Sequence, residues 1–229
     1  MENLNLKHRV ILGYPDLNNS GVRVVSGVEE GCITEFDTHI YKYNDSNNVN
    51  DDASSIIPLN VTNTEDVEYF TTFLAINKLP PPTKTALFIN SLITLFCMHE
   101  VSEVIIVASL NFSEREEFVY LGCLSRIIKT LSPTAKLQDH FFNTFITLLK
   151  VEYIQTRCLL YPGKRTDGRH ASDNSYEIGI LKHLVEGLRK LLRDDSIISM
   201  DKVLNITLPP QKSAEKDPEE KERFDTIYM

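Results

Sequence analysis

The chain has 229 residues, of which 42% are hydrophobic and 24% charged; this suits a globular domain with a sizeable core and excludes collagen-like, disulfide-scaffold and wholly disordered classes. Its 24 Lys and Arg face 32 Asp and Glu, a formal charge of -8, so the overall field opposes nucleic acid and anionic membrane as partners.

The opening Met1–His8 has neither the charged-apolar-small order of a signal peptide nor the Arg-rich character of a transit peptide, which predicts a cytosolic or nuclear protein. Cys32, Cys97, Cys123 and Cys158 are widely spaced and read as isolated thiols. Two apolar segments follow, near Arg9–Gly13 and Cys32–Tyr43, and then the Asn, Asp and Ser stretch at 44–52, too polar to build a core and read as a flexible loop. The triplets Asn60-Val61-Thr62 and Asn111-Phe112-Ser113 are chance glycosylation matches in a chain that is not secreted.

Val67–Ala75 carries Tyr69, Phe70, Thr71, Thr72 and Phe73 and predicts a strand ended by Pro80-Pro81-Pro82. Thr83 is then placed to cap a helix over Lys84–His99, which is apolar on nearly every face and therefore buried. Its core, Ala86–Met98, is too short to span a bilayer of ~30 Å. The unbroken run Val104–Leu110 reads as a strand covered on both faces. Phe141, Phe142, Phe145, Ile146, Leu148 and Leu149 form one helical stripe. A short strand at Arg157–Tyr161 ends at Pro162-Gly163, and Ser175–Arg193 is an amphipathic helix. This alternation predicts a three-layer α/β domain with a mostly parallel central sheet flanked by helices. The body runs over 1–204 and a flexible C-terminal tail over 205–229.

Signatures of catalysis are absent from the sequence. It holds 9 glycines and neither of the glycine patterns that bring backbone close to phosphate. Gly163–Gly168 lacks the residues a phosphate loop needs before the loop and after its lysine. His8, His39, His99, His140, His170 and His183 include no pair at metal-binding spacing, and His183 beside Lys182 reads as a solvated surface histidine. No nucleophile elbow or activated cysteine is present. Glu116-Glu117 follow the Val104–Leu110 strand at the end where α/β proteins place active sites, but read best as a solvated loop. Lys164, Arg165, Arg169 and His170 form a basic cluster that solvent exposure explains. The sequence thus predicts no catalytic residues, no cofactor and no metal.

The tail is the distinctive segment. Gln211–Arg223 has four basic and five acidic residues and almost nothing apolar, and then Phe224-Asp225-Thr226-Ile227-Tyr228-Met229 follows. Ile227 can fill an apolar slot, Tyr228 offers a rigid ring and a hydroxyl, and the carboxylate of Met229 can pair with a lysine or with backbone N–H groups.

The Ile227-Tyr228-Met229 ending resembles the hydrophobic-tyrosine-x signature by which proteasome assembly chaperones and activators dock between α subunits of the 20S core particle. The apolar strand Val104–Leu110 with its polar loop, and the order of helix 141–149, segment Val151–Tyr161, helix and tail, look like the proteasome assembly chaperone 1 family over the C-terminal two thirds of the chain. That resemblance implies a non-enzymatic chaperone, a heterodimer with a second assembly chaperone, and placement on the outer face of the proteasome α ring, with Ile227, Tyr228 and Met229 as docking residues. Two other classes stay open at this stage: an α/β hydrolase or transferase with an unrecognised site, and a PDZ-type ligand reading Ile-x-Met.

Overall fold

Runs of branched apolar residues two-deep in their burial, alternating with amphipathic helices, produce a sheet covered on both sides. The computed structural model describes residues 5–42, 56–65, 70–111, 119–121, 129–130, 139–163 and 174–206. Along the chain these form β1 (Arg9–Gly13), α1 (Ser20–Val25), β2 (Ile33–Lys42), β3 (Ile56–Glu65), β4 (Phe70–Ile76), α2 (Thr85–Met98) and β5 (Glu103–Leu110). There follow β6 (Val119–Leu121), β7 (Lys129–Thr130), α3 (His140–Val151), β8 (Gln155–Pro162), α4 (Asn174–Leu192) and α5 (Met200–Asn205).

The sheet order is β2-β3-β4-β1-β5-β8-β6-β7. The four central strands, β4, β1, β5 and β8, are parallel, while β2, β3 and β6 join antiparallel. The predicted three-layer α/β domain with a mostly parallel centre is therefore observed.

Period-two alternation divides the side chains of the central strands between two cores. Val10 and Leu12 of β1, Val104, Ile106 and Ala108 of β5, and Leu160 of β8 point to the layer of α2 and α3. Ile11, Ile105, Val107 and Leu159 point to the layer of α1, α4 and α5. Aromatic rings fill the first layer: Tyr14 lies 4.8 Å from Phe141, which stacks on Phe145 at 5.8 Å, and Phe145 meets Phe96 edge-on at 6.3 Å. Offset and edge contacts of this kind add about 0.5–1.5 kcal/mol per pair beyond the buried area.

Three helices stop by the same device at the amino end of the parallel strands. The N–H of Val101 reaches Phe96 O, that of Ile154 reaches Leu149 O, and that of Asp194 reaches Arg189 O. The residue before each, Glu100, Tyr153 and Arg193, has a φ of 54, 56 and 58 degrees. This is the left-handed closing turn usually given to glycine.

Two details depart from the sequence reading, and a third lies partly outside the described residues. Thr83 does not cap a helix: Pro82–Lys84 forms a 3-10 turn, α2 begins at Thr85, and its hydroxyl bonds back to Pro81 O at 3.2 Å. Of the strand expected over Val67–Ala75, the part from Phe70 is observed as β4, and Val67, Glu68 and Tyr69 lie outside the described residues. A strand that the reading lacked, β3, runs between β2 and β4. Pro58 argues against a strand there, yet the β4 ladder starts only at Leu59, so the missing N–H falls beyond its end.

Candidate functional site

Open α/β sheets bind ligands outside the carboxyl ends of their parallel strands, and among the described residues the turn after β1 packs its backbone against the end of β5 there. After β1, Gly13-Tyr14-Pro15-Asp16 turns the chain, and the buried Asp16 carboxylate accepts from Ser20 N at 2.6 Å, Gly21 N at 2.9 Å and Ser109 N at 2.6 Å. Burial pushes Asp16 up to about 7, against the opposing pull of the bonds from Ser109, Gly21, Ser20 and Asn18. Its acceptor sites face backbone donors, so this carboxylate clamps the turn to the end of β5.

The surrounding packing is as tight. A Cβ on Gly13 would lie 2.3 Å from Gly21 O, one on Gly21 would lie 2.2 Å from Val107 O, and one on Gly163 would lie 2.0 Å from Ser109 Oγ. Tyr14 donates to Asp139 at 3.1 Å, and Asp139 in turn caps α3 by accepting from Phe142 N at 2.7 Å. Burial first, then the charges of Asp139 and Asp16, raise the Tyr14 phenol well above its usual range.

The amino ends of the same strands carry a charge triad. Glu103 accepts from Arg9 Nε at 2.7 Å and pairs through its other oxygen with Arg157, all three side chains being 10 to 13% exposed. Both guanidinium groups in this low-solvent setting face the one shared carboxylate.

A groove of about 430 Å³ opens where the helix layer stops short of β2 and β3. Its apolar lining includes Val25, Phe73, Phe36 and Ile206, and Asn60 and Asn77 are among the polar groups. Phe36 is 61% exposed and Ile40 55%. Both point to this side because Tyr41, of opposite parity on β2, enters the core on the other face.

Ile227, Tyr228 and Met229 lie outside the described residues, as do Glu116, Glu117, Lys164, Arg165, Arg169, His170 and the Asn-rich stretch 44–52. His183 is not merely solvated: it is half-buried and stacks on Tyr161 with ring centroids 4.9 Å apart. Cys158 is buried in the core, Cys32 is half-buried and Cys97 is exposed. Among the described residues no cluster of three His, Cys, Asp or Glu is placed to hold a metal, and no helix is long and apolar enough to cross a membrane. Sequence reading missed Asp16 and the Phe36 face. The signal for Asp16 is an acid three residues past a strand-ending glycine; for Phe36 and Ile40 it is their even positions opposite Tyr41.

No family model matches the chain, and no curated protein sequence matches it. Solved structures do. A protein of unknown function from Thermoplasma acidophilum is 12% identical with a TM-score of 0.58, over 99% of this chain and 91% of that one. The Pyrococcus furiosus protein PbaB, an archaeal proteasome activator, is 9% identical with a TM-score of 0.57, over 99% and 96%. P. furiosus PbaA, an archaeal homolog of proteasome-assembly chaperone, is 15% identical with a TM-score of 0.53, over 88% of both chains. At these identities what the proteins share with the chain is the fold.

Proposed function

We propose that this chain is a non-enzymatic chaperone of proteasome assembly, cytosolic or nuclear, which pairs with a second assembly chaperone and docks on the 20S α ring. In this reading the body over 1–204 makes the heterodimer and the tail over 205–229 carries Ile227, Tyr228 and Met229 to a pocket between α subunits. The observation that supports it is a conjunction: a fold like that of PbaA and PbaB along most of the chain, in a sequence that ends Ile-Tyr-Met. Asp16 fits the same reading, since a carboxylate satisfied by backbone donors is a structural clamp and not a general base.

The docking step is tested by native-gel or surface-plasmon binding to 20S core particle and to isolated α rings. Adding one residue after Met229 moves the terminal charge by ~3.5 Å. Loss of a desolvated charge pair weakens that contact by about tenfold or more. A Tyr228-Met229 deletion gives a comparable loss, with the circular dichroism of the body unchanged. Equal affinity for wild type, deletion and extension overturns the docking role.

A further inference from the structure

We infer that the groove on the open face of β2, β3 and β4 is the seat of this chain's own segment Thr207–Pro210, with Leu208 packed against Phe36. The inference stands apart from the proteasome reading. It begins at Ile206, which caps α5, lines the groove and has an extended backbone, φ -69 and ψ 114 degrees. The described chain therefore ends inside the groove, with Ile206 itself extended. In an extended chain residues two apart share a face, ~6.8 Å from one another, so Leu208 falls on the side of Ile206, toward the sheet. The sequence there is Ile206-Thr207-Leu208-Pro209-Pro210, apolar at both inward positions and polar at the one between.

The polar chemistry matches as well. Pro209 and Pro210 bring carbonyls without N–H groups, so a segment containing them seeks donors and cannot extend a ladder as a full strand does. The groove supplies donors: Asn60 uses its oxygen to accept from Thr38 at 3.4 Å, leaving its NH2, and Asn77 adds a second side-chain amide. Phe36, more than half exposed on a face floored by Val25 and Phe73, is the apolar surface that Leu208 covers. The two prolines then hold the departing chain in one extended direction.

The sequence contains no tryptophan, so Phe36→Trp in the full-length chain is a single fluorescent reporter of the groove. The expected result is the same blue-shifted emission in the full chain and in a chain ending at Pro210. A chain ending at Ile206, and full-length Leu208→Asp, should emit several nanometres to the red with about twofold greater acrylamide quenching. Hydrogen exchange of β2 and β3 in chains with native Phe36 should report the same order. Emission indifferent to removal of 207–229 and to Leu208→Asp means an open groove and overturns the inference. A shift caused by removing 211–229 alone assigns the groove to the far end of the tail, and a shift that follows protein concentration assigns it to a second copy; either overturns it. Core-particle binding is scored separately, so failure here leaves the docking tripeptide untouched.

Discussion

The Asp16 carboxylate and the Ser109 backbone N–H meet at 2.6 Å, although 93 residues separate them in the chain. The turn after the first strand is thus locked to the end of the third parallel one. An ionised carboxylate makes such bonds about twice as strong as a neutral acceptor does, yet its burial in this turn lifts its proton affinity to about 7.

The sign of the resulting pH dependence follows from the two protonation states. The unfolded chain releases this proton near pH ~3.9, whereas the folded one holds it to about 7. Asp16 therefore contributes most stability below about pH 4, loses it as pH rises toward about 7, and is flat above, with a slope of at most about 1.4 kcal/mol per unit. In Asp16→Asn that slope disappears and stability falls by about 1–3 kcal/mol, because an amide NH2 now faces an N–H donor. Urea unfolding at pH 4.5 and 7 checks this; an identical pH difference in wild type and variant rules Asp16 out as the titrating group.

Gly13→Ala and Gly21→Ala should each cost several kcal/mol, more than the ~1 kcal/mol centre of ordinary substitutions. The new methyl would sit 2.3 or 2.2 Å from a backbone oxygen that cannot rotate away. Gly31→Ala, where nothing lies within 4 Å, is the matched control, and thermal melting of the three variants should rank them with Gly31→Ala near wild type.

Glu103→Gln removes the one carboxylate shared by Arg9 and Arg157. Breaking a buried pair while leaving its cation behind costs about 3–5 kcal/mol, and this carboxylate serves two cations. Chemical unfolding measures the loss, and added salt should recover little of it, since buried charges are weakly screened. A loss no larger than that of an exposed ion pair would show that water reaches the triad.

The thiols should react in an order set by burial. Cys97 is exposed, whereas burial pushes the Cys158 thiol up to about 12, so it holds almost no thiolate at neutral pH. Alkylation followed by mass spectrometry should label Cys97 in the native protein and Cys158 only after denaturant is added. Labelling of both at one rate would contradict the buried position of β8.

Tyr153→Gly should raise stability by about 0.5–1 kcal/mol. The tyrosine is 95% exposed, so little packing is lost, while its left-handed backbone is relieved. A lower melting temperature in this variant would mean that the ring has a contact on the body.

The central strands were legible because burial on both faces writes itself as an unbroken apolar run, as in Val104–Leu110, and the stripe of α3 because five rings and leucines recur at helical spacing. β3 was hidden by Pro58, whose tolerance depends on where the β4 ladder begins, a fact of pairing and not of sequence. Thr83 looked like a cap because its residue type suits one, but three consecutive prolines ahead of it favour a 3-10 turn and move the helix start to Thr85. His183 looked solvated because its stacking partner, Tyr161, is on another element. Asp16 was overlooked because a lone acid past a turn is common, and only the fold brings Ser109 to it.

The strand order also sets a timetable for synthesis. β1 is an inner strand of the parallel group, yet its partner β4 lies about 60 residues later and β5 about 94. At roughly 5–20 residues per second, Val10, Ile11 and Leu12 leave the ribosome ~5–20 s before both of their neighbours exist. Until β4 is made both edges of this apolar strand lack a partner, and until β5 follows one still does, the condition under which nascent chains associate wrongly. The inner position of β1 thus makes the first strand synthesised among the last to be fully paired.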